Sequence, residues 1–81
     1  MKRITMLDES FRKLKNYILC DISKREKQHW STAYYNKFIY NEHCISYTVE
    51  LNEEVIVYEY DYLGNNQYSQ LSHKIGSFKL Q

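Results

Sequence analysis

The side chains in this sequence that hold soft metals or attack bonds are few: Cys20, His29, His43, Cys44 and His73. Zinc sites are built from close pairs of cysteines or histidines, so that one short stretch of chain presents two ligands together. Here the successive gaps are nine, fourteen, one and twenty-nine residues. His43 and Cys44 are adjacent, and on a strand adjacent side chains point to opposite faces. The spacing therefore predicts no metal site, and no phosphate-cradling or nucleotide motif predicts a cofactor.

A nucleophilic cysteine needs a base and an electropositive setting. Cys20 has Lys24 one helical turn on and His29 beyond it, while Cys44 alternates with polar strand residues. Neither has a signature around it, and both read as small hydrophobes. Metal-free cleavage of a phosphodiester needs positioned acids and bases. His29, His43, His73, Lys74 and the tyrosines supply the types, but nothing in the sequence fixes their geometry. No catalytic residue is assigned, and the expectation is a protein without chemistry of its own.

Charge and aromatic content then point to surfaces. The net charge is +1, so nothing global selects nucleic acid or membrane. The distribution is uneven. Residues 1–40 hold nine basic and four acidic side chains, and residues 41–81 hold two and six. Such polarity predicts one basic and one acidic face. The basic candidates are Arg12, Lys13, Lys15, Lys24 and Lys27. Asp8–Arg12, Glu9–Lys13 and Asp21–Arg25 are spaced as ordinary helix ion pairs. The acidic candidates are Glu50, Glu53, Glu54, Glu59 and Asp61, bordered by Tyr58, Tyr60 and Tyr62. Tyrosine offers contact area and a polar tip at low entropy cost. This acidic strip is expected to dock onto a basic surface of a partner protein.

The elements that must position these groups are legible from periodicity. The chain has 81 residues, 43% hydrophobic and 26% charged, which fits one globular domain spanning residues 1–81. A domain of this size buries only about 60% of its unfolded surface, leaving little room for a deep pocket. Leu7, Phe11, Leu14, Ile18 and Ile22 recur on one helical stripe, predicting a long amphipathic helix over residues 5–28. Thr5 and Asp8 resemble a capping box. Residues 30–40 are rich in strand formers. In residues 44–51, Ile45, Tyr47, Val49 and Leu51 alternate with Ser46, Thr48 and Glu50. In residues 55–62, Ile56, Tyr58, Tyr60 and Tyr62 alternate with Val55, Val57, Glu59 and Asp61. Placing Ile56 on the helix side puts Glu59 and Asp61 outside. Asn52-Glu53-Glu54 and Gly64-Asn65-Asn66 are turns.

Tyr68, Leu71 and Ile75, followed by Gly76, fit a short helix, and the same stretch also fits the return strand of a hairpin. Phe78 and Leu80 predict an edge strand. The expected class is α+β, a long N-terminal helix on one face of a three- to four-stranded antiparallel sheet. With a second helix the order resembles that of the double-stranded-RNA-binding domain. The Lys-rich start of the last helix in that family has no counterpart here.

With two cysteines and no apolar leader or membrane-length run, the chain reads as cytoplasmic. The function expected is that of a small binding or inhibitor protein. Phages and other mobile elements encode many such domains against host defence or nucleic-acid-handling complexes, anti-CRISPR proteins among them. The expected partner is a larger host protein or protein–nucleic-acid complex. The alternative is direct nucleic-acid binding by the basic helix face, or a small metal-free ribonuclease toxin. No proline guards a sheet edge, so dimerisation through an edge strand is a further expectation.

Overall fold

The computed structural model describes residues 3–24 and 34–80. One helix, α1 (Glu9–Ser23), precedes four strands: β1 (Tyr34–Tyr40), β2 (His43–Val49), β3 (Glu54–Gly64) and β4 (Gln67–Lys79). The strands form one antiparallel meander in chain order, with β1 and β4 at the edges. The architecture is α+β, as the periodicity predicts. Residues 67–75 are strand, not a short second helix. A hairpin partner supplies backbone hydrogen bonds to every second residue, which outweighs the weak helical spacing of Tyr68, Leu71 and Ile75. The order helix then four strands also removes the resemblance to the RNA-binding domain.

The helix is shorter than its stripe suggests. Asp8 is the N-cap residue, and the Thr5 N–H donates to the Asp8 carboxylate at 3.3 Å ahead of it. Leu7 therefore precedes the helix and is 98% exposed, where a core position was expected. Ile4 is buried in its place. Phe11, Leu14 and Ile18 form the buried stripe of α1. They pack on Ile45, Tyr47 and Val49 of β2 and on Val55 and Val57 of β3. Full burial contributes roughly 1.5–3 kcal/mol for each large apolar side chain, so these five strand residues and the stripe are the bulk of the core. The Asp21 carboxylate ties the far end of the helix to the sheet. It accepts from the Tyr47 hydroxyl at 2.5 Å and from the Asn36 amide at 3.0 Å. The expected continuation of the helix to residue 28 and the start of the first strand at residues 30–33 lie outside the described residues, as do Lys27 and His29.

Register decides which sheet face is which. Tyr47 stands opposite Val57, and Val49 opposite Val55. Directly opposed residues share a face, so Val55, Val57 and Glu59 lie under the helix. Ile56, Tyr58 and Tyr60 lie on the other side, the reverse of the expected assignment. Both alternating sets of β3 are apolar enough to be buried, so the length of the preceding turn settles the parity. That turn is closed by bonds from the Glu53 N–H to the Glu50 carbonyl and from the Glu50 N–H to the Glu54 carbonyl, with Glu53 at φ 66°. Leu51 sits in this turn and is 61% exposed, a correction to its expected core position.

Candidate functional site

The acidic strip is not assembled on one face. Glu59 is 6% exposed beneath the N-terminal arm. Its carboxylate accepts from the Ile4 N–H at 2.8 Å and meets His43 Nδ1 at 2.6 Å. Asp61 bonds Arg3 and His73 at 2.8 and 2.9 Å. The Arg3 hydrogen bond holds its carboxyl below the ordinary range, against a small desolvation. These two carboxylates anchor the arm, residues 3–8, to the sheet. Glu50 and Glu53 belong to the β2–β3 turn, and Glu54 opens β3 opposite Lys79. His43 and His73, which spacing left unpartnered, are each tied to a carboxylate.

On the helix, Arg12 pairs with Glu9 rather than with Asp8. Lys15 lies over the Phe78 ring at 5.1 Å, so its charge covers the core edge. Lys13 and Lys24 are exposed, on the helix and at its C-cap. Cys20 is an exposed free thiol and Cys44 a buried one. Among the described residues no group of histidine, cysteine and acidic side chains could hold a metal ion, and no helix is long and apolar enough to cross a membrane.

What the register does bring together is tyrosine. The sheet face turned away from α1 carries Tyr35, Lys37 and Ile39 from β1 and Cys44, Ser46 and Thr48 from β2. Ile56, Tyr58 and Tyr60 come from β3, and Ser72 and Lys74 from β4. No other described element lies over it. Small residues fill the centre and long ones stand around them, so Ser46 is 1% exposed while Tyr35 is 53% exposed. The Tyr35 and Tyr60 hydroxyls meet at 3.3 Å, and Lys37 Nζ stands 4.3 Å from the Tyr60 ring centre.

The surroundings polarise this pair. Hydrogen bonds from Ser46 and then Tyr35, with the Lys37 charge, lower the Tyr60 phenol below its ordinary value. Its bond to Tyr60, with burial, raises Tyr35. Burial likewise pushes the Cys44 thiol up. Thr48 Oγ1 is buried without a hydrogen-bond partner, a cost of about 1–3 kcal/mol that the fold carries on this face.

The face continues past β2. The last β2–β3 pair is Cys44 with Tyr60, whereas β3 and β4 pair onward to Gly64 and Gln67. On this projecting hairpin the Tyr62 and Tyr68 rings pack at 5.3 Å. The Asn66 N–H donates to the Tyr62 hydroxyl at 3.2 Å, and the Tyr68 hydroxyl to the Glu42 carbonyl at 3.3 Å. A cleft of about 580 Å³ lies here, lined by Ile39, Glu42, Tyr62, Asn66 and Tyr68.

Tyr58, Tyr60 and Tyr62 were singled out from the sequence as a border. Tyr58 and Tyr60 stand beside the small residues at the centre of the open face, with Tyr35 across from them, and Tyr62 lies with Tyr68 on the projecting hairpin. Sequence reasoning missed Lys37, Ile39 and Glu42, although the alternation Tyr35, Lys37, Ile39 is readable once one face of β1 is known. No family model, curated protein or solved structure matches the chain.

Proposed function

We propose that this is a non-catalytic binding protein whose tyrosine-rich sheet face docks onto a larger protein. The observation that carries the reading is the placement of Tyr35, Tyr58, Tyr60 and Tyr62 with Ile39 on the face that α1 leaves open. A one-sided sheet normally shows polar residues there. Tyrosine and isoleucine in contact with water contribute little to folding and much to an interface. Lys37 and Lys74, on the two edge strands, charge the flanks of the face, so its partner presents acidic and apolar groups together. Glu50, Glu53 and Glu54 flank its other end, beside the β2–β3 turn.

Single-stranded nucleic acid is the second reading, favoured by lysines interleaved with tyrosines. Stacking needs a free ring face. Lys37 occupies one face of Tyr60, and Tyr62 and Tyr68 are tilted against each other at 57°, which favours protein. The inhibitor sense, blockade of a host defence or nucleic-acid-handling complex in the manner of an anti-CRISPR protein, rests on chain size and composition alone. A cytoplasmic setting suits the two free thiols.

The test is affinity capture of the tagged protein from nuclease-treated bacterial lysate, repeated with two variants. Tyr35→Ser with Tyr58→Ser is expected to lose a stoichiometric protein partner at least tenfold, with its circular dichroism unchanged. Lys13→Glu with Lys24→Glu is expected to keep it. The opposite pattern would move the site to the helix face. Recovery of nucleic acid alone before nuclease treatment would establish the second reading.

A further inference from the structure

Two hairpin turns flank the cleft at the end of the open face, and each holds two residues at positive φ. Asn41 and Glu42 lie between β1 and β2 at φ 46° and 70°, and Asn65 and Asn66 between β3 and β4 at φ 54° and 61°. Two-residue hairpin loops of this left-handed kind favour asparagine followed by glycine, because a side chain at positive φ crowds its own backbone. Glutamate at position 42 therefore occupies a place where the fold by itself prefers glycine or asparagine. It lines the cleft and forms no ion pair with any described residue. The rest of the lining is apolar or neutral, from Ile39, Tyr62, Tyr68 and Asn66. Exposed Leu63 and Leu71, at 64% and 78%, stand on the same projecting hairpin.

A largely apolar cleft lined by Glu42, the one acidic residue of its lining and without an ion pair among the described residues, is complementary to an apolar side chain that has a cation beside it. We infer that this cleft receives a segment of the partner protein carrying an aliphatic or aromatic residue next to a lysine or arginine. The apolar side chain enters between Ile39 and the Tyr62–Tyr68 pair, and the cation meets Glu42. This rests on the protein-docking reading above and gives the partner a polarity. Acidic groups face Lys37 and Lys74 on the edge strands, and a basic group lies at the hairpin end. Glu42 here is a specificity residue kept at the expense of turn geometry.

The test uses the full chain labelled with nitrogen-15 and three acetylated, amidated hexapeptides, Gly-Ser-Leu-Lys-Ser-Gly, Gly-Ser-Leu-Glu-Ser-Gly and Gly-Ser-Ser-Lys-Ser-Gly. Amide shifts are followed during titration. The Leu-Lys peptide is expected to move the amides of Ile39, Glu42, Asn66 and Tyr68 with millimolar affinity. The other two are expected to bind at least threefold more weakly. Glu42→Gly is expected to raise the unfolding midpoint while weakening the Leu-Lys peptide about two- to fivefold, the range of an exposed charge pair.

Equal binding of Leu-Lys and Leu-Glu, or no shift at these amides, would overturn the inference. So would larger shifts from a hexathymidine oligonucleotide, or shifts that change on dilution with no peptide, which would assign the cleft to nucleic acid or to a second copy. The two readings fail separately. A silent cleft with capture still dependent on Tyr35 and Tyr58 removes only this inference, whereas capture indifferent to them removes the docking reading itself.

Discussion

Asp61 shows at the residue scale how a side chain expected to face a partner is used within the fold. Its carboxylate is held between Arg3 and His73, and the Arg3 hydrogen bond is the main cause of its lowered pKa. A carboxyl that is more acidic in the folded state than in the unfolded chain contributes stability above its unfolded pKa. That contribution is lost as pH falls through the lower, folded value. Asp61→Asn is therefore expected to flatten the fall of the urea midpoint as the pH drops through and below the ordinary carboxylate range, relative to the parent. Parallel acid limbs in the two proteins would mean that the Arg3 contact does not persist in solution. Glu59, two residues earlier on the same face, reaches His43 and the backbone of Ile4 instead. Alternation alone assigns both acids to the same surface as each other, and it does so correctly. It cannot say whether that surface is wet.

At the scale of elements, the N-terminal arm and β4 fit together through one glycine. A methyl group on Gly76 would lie 2.5 Å from Met6 Cγ and 2.6 Å from Phe11 Cζ. The arm and the first turn of α1 rest on that point of the strand, opposite Val57. Gly76→Ala is expected to cost about 1–3 kcal/mol, the range for overpacking a filled core, read from the urea midpoint. An unchanged midpoint would place the arm away from β4. The sequence reading used Gly76 as a helix terminator. Its purpose is steric, and the absence of a side chain looks the same in either role. An isolated helix of this length is marginal in water, so α1 depends on the sheet beneath it, and Leu14 and Ile18 at 0% exposure are the contact.

For the molecule as a whole, the two thiols report different openings. Cys20 is exposed on the helix, and Cys44 is 3% exposed at the floor of the tyrosine face. Burial raises the Cys44 thiol, which lowers its reactive thiolate fraction further. An aromatic disulfide reagent at pH 8 is expected to label one thiol at once. The second should follow only at the rate of global unfolding, accelerating with urea. Simultaneous labelling of both would show that the open face parts locally, without unfolding of the sheet. The same arrangement is why that face has a shape. Cys44 and Ser46 are low points, and Tyr35, Tyr58 and Tyr60 stand above them.

The sequence by itself determined the class of the fold, the stripe Phe11, Leu14 and Ile18, the strand Ile45–Val49 and the turns before and after β3; the Asn41-Glu42 turn it did not mark. Each depends on local periodicity or on turn chemistry carried within a few residues. It also marked Tyr58, Tyr60 and Tyr62 as residues of one surface. Which surface was decided only by tertiary structure. β3 has two apolar sets, and the pairing of Tyr47 with Val57 chose the smaller one to lie under the helix, which put the tyrosines outside and Glu59 inside. Strand identity for residues 67–75 was likewise settled by a partner strand rather than by propensity. The cleft was illegible for the same reason. Ile39, Glu42, Tyr62 and Tyr68 belong to two hairpins far apart in the chain, and only the length of β3 beyond the end of β2 brings them together.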